Sequence, residues 1–226
     1  MSTTTIFDAI AASNEEKLRA LLDGGADANA ADDEGTPALH LAVRELHLGC
    51  MQALLEAGAG VNARSSESGE TAAHLAVYDG FGEGLKLLLD CSSDLTLADD
   101  DGSSCLHLAA ASKFASPDII MTLMDAGAPA RATDKAGRQP SHLAAARGRV
   151  SVLEALHASD ATLILAVDAD GATPIHAGAA AGEIGAIDWL AAHGANVEAA
   201  DARGALPVFY ALRAGKSTAA DALVQK

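Results

Sequence analysis

Five histidines occupy one recurring setting: GTPALHLA at 35–42, GETAAHLA at 69–76, GSSCLHLA at 102–109, GRQPSHLA at 137–144 and GATPIHAG at 171–178. An imidazole can act as a general base, a proton shuttle or a zinc ligand. His40, His74, His107, His142 and His176 are therefore the first places to look for chemistry. Each lies five residues after a glycine, and the glycines recur at 35, 69, 102, 137, 171 and 204. A fixed period of this size marks stacked units rather than one mixed core. One histidine per unit makes a row with a spacing of about 10 Å, the packing distance of helices. Zinc needs its ligands at about 2 Å from one point, which a row cannot supply. The rings are therefore expected to support the fold, packing between units and bonding a turn hydroxyl or a backbone group.

Other chemistry finds no frame. The chain has no GxGxxG after a strand, no GxxxxGK[ST], no GxSxG and no HExxH. DDDG at 99–102 and DADG at 168–171 lack the DxDxDG opening and the later glutamate of a calcium loop. Cys50, Cys91 and Cys105 show no CxxC spacing and leave an odd thiol, which argues against a disulfide framework or a zinc site and for a reducing compartment. No catalytic, metal-binding or cofactor-binding residue is assigned, no cofactor is expected, and the chain reads as a non-enzyme. His47 and His157 read as surface or edge positions, and His193, just before Gly194, suits the negative end of a helix dipole.

The elements that hold the histidines follow from their neighbours. Thr173 suits a helix N-cap and Pro174 the first helical position, where a missing N–H costs nothing. Alanines and leucines follow at one-face spacing, and second helices read at 51–58, 85–90, 119–127, 152–159 and 187–194, several ending in glycine. Segments such as GADANAAD at 25–32 close the units.

This combination resembles the ankyrin repeat. The resemblance implies an all-α solenoid of stacked antiparallel helix pairs joined by β-hairpin-like loops. It would form one domain over 1–226, with approximate repeats 1–33, 34–67, 68–100, 101–135, 136–169, 170–202 and 203–226, the first and last being caps. Some units depart from the pattern. Thr36 and Pro37 are displaced in the second, Gln139 stands for threonine in the fifth, and Leu206 and Phe209 stand for threonine and histidine in the last. These units are expected to cap less well. KFASP at 113–117 and TLILAVD at 162–168 are expected to bulge or shift.

The resemblance also implies protein recognition through a concave face and the hairpin tips. The formal charge is −16, which argues against nucleic acid and anionic membrane surfaces. Residues 1–130 carry 6 basic against 21 acidic side chains, and residues 131–226 carry 9 against 10. Asp32, Asp33, Glu34, Glu67, Glu70, Asp99, Asp100 and Asp101 are expected at successive tips as an acidic strip. Lys135, Arg138 and Arg147 form a basic counterpart, and Tyr78, Phe81, Phe114 and Trp189 are possible aromatic anchors. The reading is a non-catalytic scaffold, adaptor or inhibitor, monomeric in isolation, whose protein partner offers a basic or bipolar segment. The alternatives are a regulatory subunit, a microbial effector or an enzyme with an unrecognised site. No apolar run reaches the roughly 18–20 residues of a membrane span. The opening MSTTTIFDAIAAS lacks a basic start and a long apolar centre, so a cytoplasmic protein is expected, or a nuclear one in a eukaryote.

Overall fold

The computed structural model describes residues 5–226 as helices and tight turns in two compact units, one ending at Asp101 and the other starting at Gly102. The first unit contains α1 (Ile6–Ala11), α2 (Glu15–Asp23), α3 (Ala38–Arg44), α4 (Leu48–Glu56), α5 (Ala72–Tyr78) and α6 (Gly82–Asp90). The second contains α7 (Cys105–Ala111), α8 (Pro117–Asp125), α9 (Pro140–Ala146), α10 (Val150–Ser159), a 3₁₀ turn (Ala161–Leu165), α11 (Pro174–Ala181), α12 (Ile184–Ala192), α13 (Pro207–Arg213) and α14 (Ser217–Val224). Odd-numbered helices pack on odd and even on even, so each unit is a stack of helix pairs. Isolated bridges pair Ala31 with Pro37 and Arg64 with Thr71 at hairpin feet. The fold is an all-α solenoid.

Small residues set the spacing of the first helices. Ala42, Ala109, Ala144 and Ala179 are fully buried, and the absence of bulk lets neighbouring axes approach. The second helices supply the volume through Leu54, Leu88, Leu123, Leu156 and Leu190, each at most 1% exposed. Burying a leucine contributes about 1.5–3 kcal/mol, so stability accumulates pair by pair along each stack.

The recurring histidine links one turn to the next. His176 Nδ1 lies 3.0 Å from the Thr173 N–H and 2.9 Å from its hydroxyl, while Nε2 lies 3.2 Å from the carbonyl of Ala205 in the following turn. His142 accepts from the Gln139 N–H at 3.1 Å and reaches the Ala172 carbonyl at 3.0 Å. His107 repeats this with Ser104 and the Arg138 carbonyl, 2.8 Å away. A carbonyl only accepts, so Nε2 carries the proton and Nδ1 the lone pair, which defines a neutral tautomer. Burial accordingly holds His40, His142 and His176 below the ordinary imidazole range.

The irregular units differ in how much of this link they keep. Gln139 loses the hydroxyl but retains the backbone donor. Pro37, the N-cap of α3, has neither, so His40 keeps its bond to the Glu70 carbonyl at 2.9 Å while its buried Nδ1 has no partner. Leu206 offers no side-chain cap to α13. At 162–168 the chain replaces the closing turn with the 3₁₀ turn, and the buried Ser141 hydroxyl donates to the Leu163 carbonyl at 2.8 Å. At 113–117 the link ends on Ser116 as N-cap and Pro117 as first residue of α8.

Hairpin turns are organised by their leading side chain, an aspartate except at 65–70, where the Ser65 hydroxyl accepts from the Glu67 N–H at 3.3 Å. Asp32 Oδ1 accepts from the N–H groups of Glu34 and Thr36 at 3.0 and 2.8 Å, and Asp134, Asp168 and Asp201 do the same in the second unit. The glycine three residues on is required twice over at 137. Its φ is +75°, and a Cβ would stand 2.5 Å from the Ala169 backbone nitrogen of the next turn.

Pro37→Thr should raise stability by about 1 kcal/mol, since satisfying the buried Nδ1 outweighs the lost rigidity of proline; chemical denaturation measures it, and an unchanged or lower midpoint would contradict the assignment. The folded rings titrate below their unfolded value, so the unfolded chain takes up more protons as pH falls below about 6.5. Stability is then full above that pH and lost below it. The thermal midpoint should drop by several degrees between about pH 7 and pH 5, ahead of carboxylate titration; a flat profile there would exclude neutral bridging rings.

Candidate protein-binding surface

The first unit brings its tips side by side. The Ser66 hydroxyl donates to the Glu34 carbonyl at 3.2 Å, and the Asp100 N–H donates to the Ser68 carbonyl at 2.9 Å. The acidic residues on these tips are not equivalent. Asp32 and Asp99 are half-buried and accept backbone N–H groups of their own turns, Asp99 from Asp101 at 2.9 Å. Glu70 accepts the Ser68 hydroxyl at 2.8 Å. Asp100 pairs with Arg64 at 3.1 Å, and Arg64 also donates to the Ala98 carbonyl at 2.7 Å. Asp33, Glu34, Glu67 and Asp101 are exposed and make no ion pair among the described residues. The expected strip is thus four available carboxylates interrupted by a guanidinium.

Basic residues of the second unit divide in the same way. Arg138 is exposed yet held on Asp134, donating from Nε at 2.7 Å, and the Asp134 side chain is only 2% exposed. Burial works to raise the Asp134 pKa, but the Arg138 hydrogen bonds overcome it and leave the group below the ordinary carboxylate range. Lys135 and Arg147 are exposed, the latter closing α9. Among the aromatic residues, Tyr78 at the end of α5 and Phe114 in the α7–α8 link are exposed, with Lys113 Nζ 4.8 Å above the Phe114 ring. Phe81 is half-buried against Gly84, where a Cβ would come 2.4 Å from its ring. Trp189 is stacked with His193 at 3.9 Å, with His157 edge-on to both.

A groove of about 390 Å³ at the last helix pair had no counterpart in the sequence reading. Asp201, Arg203, Phe209, Tyr210 and Arg213 line it, with Ala180 of α11 behind. The Tyr210 hydroxyl donates to Asp201 at 2.7 Å, and burial together with that carboxylate pushes the phenol up to about 12. The only signal was the departure of the last unit from the TP–His pattern, which on sequence grounds indicated a weak cap. Among the described residues no group of three or more histidine, cysteine or acidic side chains is placed to hold a metal, and no helix is long and apolar enough to cross a membrane.

A family profile of ankyrin repeats in three copies matches residues 6–99, 73–164 and 142–226. The chain belongs to the ankyrin repeat family. Ankyrin repeats are generally protein-interaction modules rather than catalysts. Among similar proteins, human ankyrin repeat and SOCS box protein 16 is 33% identical over 67% of this chain and 35% of its own length. The mouse nuclear factor NF-kappa-B p105 subunit is 44% identical over 34% of this chain and 8% of its own length. Protein PhlB of Serratia liquefaciens is 40% identical over 45% of each chain. The chain therefore spans less than half the length of these curated relatives.

The two kinds of tip acid predict different mutational costs. Asp134→Ala should cost about 2 kcal/mol through the loss of charge-assisted and turn hydrogen bonds, whereas Asp33→Ala should stay within about 0.5 kcal/mol of the parent. Equal melting points for the two variants would contradict the division.

Proposed function

We propose that this ankyrin repeat chain is a non-catalytic adaptor or inhibitor that captures a basic segment of a partner protein on the hairpin tips of its first unit. The observation that carries this reading is the neighbourhood of Asp33, Glu34, Glu67 and Asp101, whose carboxylates are spent neither on turns nor on ion pairs. Exposed Tyr78, at the end of α5, offers an aromatic anchor of the type that interfaces favour. A bipolar segment would present its own carboxylates to Lys135 and Arg147, which are exposed in the second unit. Arg138, tied to Asp134, is less available than the sequence alone suggests. Three cysteines without disulfides, two of them buried, fit action in a reducing compartment such as the cytoplasm.

Exposed charges of this kind act chiefly on association rate and selectivity, and salt weakens them. The test is affinity purification from the source cell with the parent chain and a variant carrying Asp33→Lys, Glu34→Lys, Glu67→Lys and Asp101→Lys, with captured proteins identified by mass spectrometry. The reading expects loss of a partner with a basic segment while circular dichroism and melting stay unchanged. Capture of every partner at parental levels would overturn it.

A further inference from the structure

The α7–α8 link holds an aromatic ring in solvent between two buried neighbours. It runs over five residues, 112–116, where the α9–α10 link takes three, 147–149. Ser112 and Ala115 are 3% and 1% exposed, and the Ser112 hydroxyl accepts from the Phe114 and Ala115 N–H groups at 3.0 and 3.3 Å. Ser116 ends the link as N-cap of α8, accepting from the Ile119 N–H at 3.4 Å. With the backbone pinned on both sides, Phe114 is 58% exposed, and a ring presented in this way binds with little ordering left to do.

Cations surround the ring. Lys113 Nζ lies 4.8 Å over it. The α9–α10 link lies alongside, because Arg149 Nη2 donates to the Ala115 carbonyl, and Arg147 is exposed two residues earlier. Asp118 in the first turn of α8 and Glu183 against Gly148 stand on neighbouring elements. Neither pairs with these cations, and Lys113, Arg147 and Arg149 make no ion pair among the described residues. Arg149 supplies a second, independent sign, since its Nη1 is shut off from solvent and has no hydrogen-bond partner. A buried guanidinium N–H without an acceptor is costly, and a carboxylate pairing with the planar fork removes that cost.

We infer that the α7–α8 link docks an acidic segment of a partner protein, with an apolar side chain of the segment against Phe114 and its flanking carboxylates against Lys113, Arg147 and Arg149. The three cations repel a basic segment, and an uncharged one leaves the Arg149 donor unanswered. The net charge of −16 disfavours an anionic lipid surface as the occupant. The site lies wholly within the second unit, so it does not depend on the acidic tips of the first.

The full chain can be titrated into a short fluorescently labelled peptide with phenylalanine at its centre and glutamates on both sides, with anisotropy as readout. One control peptide carries lysine for every glutamate, and another carries glycine for the phenylalanine. The expected result is saturable binding of the first peptide, about tenfold weaker binding of the glycine peptide and none of the lysine peptide. Phe114→Ser, Arg147→Glu and Arg149→Gln should each weaken the first peptide about tenfold, and added salt should weaken it further. Phe114→Ser and Arg147→Glu change exposed side chains, so their circular dichroism and melting should match the parent and keep the test decisive if Arg149→Gln loosens the link. A chain carrying Asp33→Asn, Glu34→Gln, Glu67→Gln and Asp101→Asn should bind the peptide as the parent does, which separates this site from the tips. No binding, equal binding of the glutamate peptide and either control, parental affinity in Phe114→Ser, or loss of binding in the tip variant would overturn the inference. So would sedimentation with phosphatidylserine vesicles that Phe114→Ser abolishes while the peptide stays unbound, which would assign the ring to a lipid surface.

Discussion

A neutral imidazole bridging two turns is the interaction on which each stack depends. First helices of about two turns leave their N-terminal N–H groups without partners in the helix, and close stacking buries them together with carbonyls of the next turn. The ring answers both needs, accepting at Nδ1 from its own N-cap and donating at Nε2 to the neighbour, as His142 does between Gln139 and Ala172. With both nitrogens engaged and the ring buried, His107, His142 and His176 have no free lone pair for a metal or a substrate proton, and the unpartnered Nδ1 of His40 is buried. That places recognition on the surface.

At the tips the backbone has first claim on the acidic side chains. A tight turn with a left-handed glycine leaves N–H groups pointing inward, and the leading aspartate accepts them, as Asp32 and Asp134 do. Only the residues after it project into solvent. Local charge is therefore smaller than the acidic count implies, and Arg64 and Arg138 lower it further by pairing with Asp100 and Asp134.

Among the described residues no turn follows the last pair. A histidine at 209 would find no carbonyl for Nε2 within the described chain, and Phe209 stands there instead with its ring exposed. Tyr210 takes over the inward anchoring by donating to Asp201, the organiser of its own turn. The position that serves as a fastening elsewhere holds an exposed ring here.

Much of this was legible in the chain itself. The glycine period, the TP–His spacing and the alanine-rich first helices determine the fold class and the structural nature of the histidines, because each depends on contacts within one unit or between identical neighbours. The displaced Pro37 also announced a weak cap from its position alone. Tertiary structure alone decided which charges are available, since Arg64 meets Asp100 across 36 residues, and a sequence count cannot tell a carboxylate facing water from one committed to a turn. It likewise decided that Phe209 and Leu212 are exposed among the described residues, because burial in that register depends on another helix pair packing over it.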